Sequence, residues 1–217
     1  MPYEVESMAA RKFDSRWFSE VAALKFKYYG AVLEGVPETE IGEFVGSTTL
    51  ESLQNPNRAA GASRFVRGQQ GFARANVAMT GRHTSDTPGF HVWRLTGFMQ
   101  TADNASSRFG GVPGAIEQAA KLYLPVEQLR DRRYFVIREL VTDPSVNVLG
   151  TLVEHAVGIA DERAQTANAY VFSSEKDAIT ALSAADFNFV PDFRADPAFE
   201  SATTGPIYLD MYTRTPQ

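Results

Sequence analysis

The feature that most constrains the fold is a succession of strand and helix patterns in the C-terminal half of the chain. Residues 134–141 (YFVIRELV) are almost continuously apolar, which is typical of a strand buried on both faces of a sheet. Pro144 closes this strand, and the apolar residues from Leu149 to Ala160 then recur at helical spacing. A short apolar strand at 169–172 and a further helical pattern follow. This alternation predicts an α/β domain with a right-handed central crossover.

The rest of the chain adds weaker patterns. Apolar residues that recur every three or four positions predict helices at 17–28, 37–53 and 113–124. Alternating or short apolar runs predict strands at 3–8, 72–79, 90–99, 187–190 and 207–212. We expect Gly30 to end the first helix as its C′ residue, and Ser174 to cap the helix after 169–172 with Asp177 as its partner. Residues 54–71 have no period and are predicted to form a long loop.

Composition limits the class of protein. The 217 residues are 44% apolar, which favours one domain over 1–217 with a substantial core. The formal charge of −5 argues against broad nucleic-acid binding. Without cysteine, and with only three histidines, no metal site is expected. No apolar run approaches the ~20 residues that span a bilayer, so we expect a cytoplasmic protein, a monomer or homodimer, with no membrane partner.

One stretch resembles a known family. Residues 135–190 read FVIRELVTDPSVNVLGTLVEHAVGIADERAQTANAYVFSSEKDAITALSAADFNFV. The apolar strand, the following glycine-containing loop, a helix with Ala-Asp near its end and a strand followed by Ser are spaced as in the GNAT superfamily of acyl-CoA-dependent N-acyltransferases. The stretch is most similar to fungal members of that superfamily. The resemblance implies a GNAT-like domain: a mixed, twisted central sheet flanked by helices, with two middle strands that splay apart.

The resemblance also implies a site for acetyl-CoA or another acyl-CoA. In the family, backbone N–H groups at the N-terminus of the central helix bind the pyrophosphate, aided by the helix dipole. The matching loop residues here are Asn147, Leu149, Gly150 and Thr151. A backbone N–H near Val141, at the end of the preceding strand, would polarise the acyl carbonyl. Ser174 could bind the pantetheine arm. Leu152 stands where the family has Gly or Ala, so we expect its side chain to crowd a phosphate in a degenerate loop.

The acid and base of the reaction are less clearly indicated. Many family members carry a tyrosine that protonates the leaving thiolate, but the matching position here is Leu182. Tyr170, Tyr208 or Tyr212 could replace it in space. Glu139 and His91 are candidates for the general base, although each could equally be an ordinary strand residue that is paired or packed.

Three functions therefore remain open from the sequence. The first is an acyltransferase that acts on the amine or hydroxyl of a small molecule. The second is a GNAT-fold enzyme that no longer uses coenzyme A and catalyses a cyclisation, isomerisation or elimination on an apolar small molecule. The third is a non-catalytic small-molecule-binding module. The altered loop and the missing tyrosine motivate the second and third.

Overall fold

The computed structural model describes residues 5–9, 15–53, 74–82, 95–105, 133–191, 193 and 197–217. Four helices lie in these ranges: α1 (Ser15–Val32), α2 (Glu38–Leu53), α3 (Leu149–Glu162) and α4 (Lys176–Ala184). Nine strands lie there too: β1 (Val5–Ala9), β2 (Arg74–Arg82), β3 (Leu95–Ala105), β4 (Arg133–Thr142), β5 (Thr166–Phe172), β6 (Asn188–Phe189), β7 (Phe199–Ser201), β8 (Gly205–Ile207) and β9 (Leu209–Arg214).

Seven of these strands form one mixed sheet in the order β1-β2-β3-β4-β5-β9-β6. Only β4 and β5 run parallel, and every other neighbouring pair in the sheet is antiparallel. A parallel pair needs a crossover connection, which α3 provides between β4 and β5. Strands β7 and β8 form a separate hairpin.

Helices cover both faces of the sheet. On one face, α3 and α4 contribute Leu152, Ala156 and Leu182 to a core that includes Phe135 and Ile137 of β4. On the other face, the core contains residues of α1 and α2 together with Phe98, Val141 and Phe172 of the sheet. The predicted α/β class, with a mixed central sheet between helices, is confirmed.

Two local predictions were wrong. Helix α1 does not end at Gly30 but continues to Val32, and the glycine with positive φ is Gly35 (79°), in the turn that follows. A glycine inside a helix lowers its stability by only about 1 kcal/mol, which the packing of α1 outweighs. Helix α4 begins at Lys176, with Glu175 rather than Ser174 at the N-cap position and no side-chain cap. The Ser174 carbonyl instead accepts the Lys176 N–H.

Some predictions lie outside the described residues: the loop at 54–71, the helix at 113–124 and the first part of the strand at 90–99. Within the described ranges, no helix combines the length and the apolar character needed to cross a membrane.

Candidate functional site

Strands β4 and β5 separate along their length. They pair at four positions, from Tyr134 with Thr166 to Ile137 with Ala169. Beyond Ile137 both strands continue without pairing to each other, while β3 and β9 stay paired on their outer sides. The predicted splay of the two middle strands is therefore present. It leaves a gap in the sheet along which β4 and β5 make no ladder bonds to each other.

The ladder between β3 and β4 shows which backbone groups of β4 face this gap. The Asp143 N–H donates to the Thr96 carbonyl at 2.8 Å, so Asp143 turns its backbone toward β3. Because alternate residues of a strand direct their backbone groups to opposite sides, Val141 also faces β3, whereas Leu140 and Thr142 face the gap. The backbone N–H of Val141 itself is therefore directed to β3 and not to the gap.

The first N–H groups of α3 divide into two kinds. The Val148 N–H donates to Thr142 Oγ1 at 3.2 Å, and the Leu149 N–H donates to Asn147 Oδ1 at 3.1 Å. The first bond ties the start of α3 to the end of β4. The second is a local turn in which Asn147 accepts from the residue two positions on, while the N-cap residue Val148 makes no side-chain cap bond.

The next two N–H groups, of Gly150 and Thr151, have no acceptor among the described residues. Gly150 is exposed, and a Cβ atom built on it would meet no heavy atom within 4 Å. The start of α3 therefore has two N–H groups without an acceptor among the described residues, and no side chain crowds Gly150. Such a helix N-terminus is suited to binding an anion such as phosphate.

Leu152 does not crowd this space. Its side chain is fully buried in the core between α3 and the sheet. In a helix, residues 150 and 152 lie on different sides, so a large apolar residue at 152 packs inward while position 150 stays open. The expectation that Leu152 would crowd a phosphate is corrected.

A β-bulge determines where Glu139 points. Gln100 of β3 pairs with Glu139 and Thr101 pairs with Ile137, so Arg138 is an extra residue in β4. Before the bulge, Ile137 packs on the α3 side of the sheet, and after it Leu140 does so. The extra residue thereby turns Glu139 toward α1.

Glu139 meets a cation and a phenol on that side. Lys25 Nζ lies 2.8 Å from its Oε1 and 3.0 Å from its Oε2, and the Tyr29 hydroxyl donates to Oε1 at 2.9 Å. The Lys25 ammonium also donates to Thr48 Oγ1 at 2.8 Å. Lys25 is completely buried and Glu139 nearly so. Through these bonds Lys25 connects α1 to Thr48 of α2 and to Glu139 of β4. Burial, together with the nearby Glu139, holds the pKa of Tyr29 well above its usual range.

A second buried carboxyl group, missed by the sequence analysis, lies at the end of β5. The Phe172 N–H donates to Glu175 Oε2, and the Phe172 carbonyl accepts the Glu175 N–H at 2.9 Å. Because the Phe172 N–H goes to Glu175 and not to β9, it faces the gap. Burial raises the pKa of Glu175 to about 8, and nearby Glu139 adds to the increase, while the bond from Phe172 and the nearby Tyr28 oppose it.

The Tyr28 hydroxyl lies beside Glu175. It is buried and has no partner in hydrogen-bonding geometry, yet it is close enough to Glu175 for each group to shift the pKa of the other. Burial, then Glu175, raises the pKa of Tyr28. The region between α1 and the gap thus contains two carboxyl groups with one tyrosine next to each.

The structure places the other predicted site residues as follows. Tyr170 lies on the part of β5 that pairs with β9 but no longer with β4; its ring contacts Phe193, and burial raises its pKa to about 12. Tyr212 packs against Phe189 in the core on the α3 side, so the sheet separates it from Glu139. Ser174 is half-buried beside Glu175, and His91 lies outside the described residues. Among the described side chains, no three that could bind a metal come together.

Solved structures of N-acetyltransferases share this architecture. The PaiA N-acetyltransferase of Thermoplasma acidophilum, in complex with coenzyme A, has a TM-score of 0.54 at 11% identity, over 99% of this chain and 100% of that one. Arabidopsis thaliana NAA60, in complex with a bisubstrate analogue, has a TM-score of 0.53 at 10% identity, over 99% of both chains. The sequence matches no protein-family model and no curated protein. At these identities the similarity establishes the fold alone, and that fold is the GNAT fold.

Proposed function

We propose that this protein is an acyl-CoA-dependent acyltransferase that acts on the amine or hydroxyl group of a small molecule. The observation that carries the proposal is the gap between β4 and β5, which opens beside the free N–H groups of α3. A fold shared with N-acetyltransferases supports it, since one of those structures contains coenzyme A and another a bisubstrate analogue.

The residues at the start of α3 fit a pyrophosphate. Gly150 and Thr151 offer two N–H donors, and the absent side chain at Gly150 lets a phosphate approach the backbone closely. No Lys or Arg occurs between Pro144 and Glu162, so neutral donors and the helix dipole would provide the binding. Asn147 and Leu149 would keep these donors in place through the bond that joins them.

The gap fits an extended acyl-bearing arm. The backbone groups of Leu140 and Thr142 that face the gap can form hydrogen bonds with such an arm, as they would with a neighbouring strand. An N–H at this position can also stabilise negative charge on the acyl oxygen. Bound acyl-CoA would supply an activated thioester. Of the tyrosines indicated by the sequence, Tyr170 is on the strand that forms the gap, so we retain it as the proton donor for the leaving thiolate. Glu139, His91, Tyr212 and Ser174 remain predictions.

The pyrophosphate assignment can be tested with two matched variants of α3. Gly150 and Gly158 are both exposed helical glycines with open space where a Cβ would stand. A carboxylate at 150 would repel and obstruct a phosphate, while one at 158 lies two turns away. By isothermal titration calorimetry we expect Gly150→Asp to weaken coenzyme A binding at least ~10-fold, about 1.4 kcal/mol, and Gly158→Asp to leave it unchanged.

Two outcomes would contradict the proposal. Equal binding by both variants would place the cofactor elsewhere. No binding of coenzyme A or acetyl-CoA by the wild-type protein would favour a coenzyme-independent enzyme or a binding module instead. For a protein that binds, release of free thiol from acetyl-CoA in the presence of a panel of small amines and alcohols identifies the acceptor class.

A further inference from the structure

The carboxyl group of Glu175 is only partly engaged by the protein. Its Oε2 accepts the Phe172 N–H on the gap side of β5. The Tyr28 hydroxyl lies close enough to interact with the carboxyl, although no described side chain donates to Oε1 in good hydrogen-bonding geometry. No cation of the described residues forms an ion pair with it. The side chain therefore holds one oxygen fixed at the rim of the gap and leaves the other available.

The groups around Glu175 make it a proton acceptor near neutral pH. Tyr28 and Tyr29 face it from α1 and Glu139 from β4, while Asp177 lies close by in the first turn of α4. Lys25, a buried cation nearby, is bonded to Glu139 and Thr48. Burial and the adjacent Glu139 carboxylate raise the pKa of this carboxyl to about 8, so its ionised form takes up a proton more readily near neutral pH than an ordinary carboxylate does.

We infer that Glu175 is a catalytic residue that accepts the proton of the acceptor nucleophile, with Tyr28 as the residue that positions it; this rests on the proposed function. As the nucleophile's lone pair forms a bond to the acyl carbon, the bond from that carbon to sulfur breaks. The proton of the amine or hydroxyl passes to Glu175 Oε1, and the thiolate takes one proton from Tyr170. Tyr170 regains a proton from water as Glu175 releases its own to water, so atoms and charge balance. The Tyr28 hydroxyl, buried without a partner beside the carboxyl, is available to bond the nucleophile or Oε1.

The first test needs neither cofactor nor turnover. Difference infrared spectroscopy of the free protein between pH 5.5 and 9.5 should show the carbonyl stretch of a protonated carboxylic acid that disappears with a midpoint near pH 8. Glu175→Gln should abolish this band, whereas Asp177→Asn, an exposed acid in the first turn of the same helix, should leave it unchanged. A band that persists in Glu175→Gln, or the absence of any such band in the wild type, would overturn the inference.

The second test separates catalysis from binding. We expect Glu175→Gln to bind acetyl-CoA within about twofold of the wild type while kcat falls at least ~100-fold, the usual scale for loss of a general base. Tyr28→Phe should keep the infrared band but move its midpoint to higher pH, because Tyr28 lowers the pKa of Glu175. A purely structural role for Tyr28 would leave the midpoint in place.

The outcomes separate the proposed acyltransferase function from the catalytic role of Glu175. Wild-type protein that does not bind acetyl-CoA overturns the proposed function and this role with it. Wild-type protein that binds and turns over, with Glu175→Gln equally active, leaves the acyltransferase intact and overturns only the role of Glu175.

Discussion

Two carboxyl groups face helix α1 from opposite rims of the same gap, and they are accommodated in different ways. Glu139, on β4, has a buried ammonium and a phenol within 3.0 Å of its oxygens. Glu175, after β5, has one backbone N–H and the neighbouring Tyr28 hydroxyl, which is close enough to lower its pKa, but no cation among the described residues. An acid removed from water must be either paired or protonated. The first group is paired, and burial raises the pKa of the second to about 8.

The difference indicates separate roles. A carboxylate with its hydrogen-bonding capacity filled by Lys25 and Tyr29 has little left to offer a substrate, so Glu139 is best placed to hold helices on the sheet. A carboxyl with a free oxygen and a proton affinity close to neutrality is suited to proton transfer. Each of the following experiments alters one member of this comparison.

The largest effect is expected from breaking the pair. Lys25→Met removes the cation and leaves Glu139 charged in a buried site, which should lower the free energy of unfolding by about 3–5 kcal/mol. Lys27→Met, on the same helix, is the control: Lys27 is 47% exposed, and its buried partner Asp143 keeps the bonds from the Ser145 N–H and hydroxyl, so the loss should be smaller, roughly 1–2 kcal/mol. Urea denaturation followed by circular dichroism measures both.

The double variant Lys25→Met with Glu139→Leu completes this test. Removing both charges should recover most of the loss, since well-packed apolar groups can replace a buried ion pair. Equal destabilisation by Lys25→Met and Lys27→Met would show that the buried pair is not a special contact.

The next largest effect is the pH dependence of stability due to Glu175. Its pKa in the folded state, about 8, lies above the ordinary value of 4.5. Between these values the unfolded chain has released a proton that the folded chain retains, so stability falls as the pH rises, and the loss is complete above about pH 8. Relative to Glu175→Gln, the wild type should lose on the order of 3 kcal/mol between pH 5 and 9. Parallel pH profiles for the two proteins would contradict this.

A smaller effect should separate the two tyrosines. Tyr29→Phe removes a donor to a buried carboxylate and should cost roughly 1.5–3 kcal/mol. Tyr28→Phe removes a buried hydroxyl that has no partner, so its stability should stay within about 0.5 kcal/mol of the wild type or increase. Thermal unfolding at pH 7 distinguishes them, and the reverse order would assign the bond to the wrong tyrosine.

The sequence predicted the fold better than the site. Hydrophobic periodicity located α1, α2, α3, β4 and β5, because each buries a continuous apolar face that the period reports. It failed at element ends, where single residues decide. Gly30 looks like a helix end, but the tertiary packing of α1 carries the helix past it. Ser174 looks like a cap, but Glu175 takes the N-cap position and α4 begins one residue later, at Lys176.

The site depends on contacts between distant segments, which a single sequence does not reveal. Glu175 follows two serines and precedes Lys176, so it reads as a solvated acid in the first turn of a helix. Lys25 did carry a usable signal. It lies four residues after Val21 and four before Tyr29, on the apolar face of α1, and a lysine in such a stripe indicates a buried counter-charge. Its partner 114 residues away could be chosen only from the folded chain.

The extra residue Arg138 reverses the face of the sheet to which each following side chain of β4 points. Deleting that residue would restore simple alternation and send the carboxylate of the next position into the apolar layer beneath α3, stranding the ammonium on α1. A homologous chain without the extra residue would therefore need an apolar side chain at this point in the strand and an uncharged residue in place of the lysine. Insertions and deletions here should coincide with replacement of both charges.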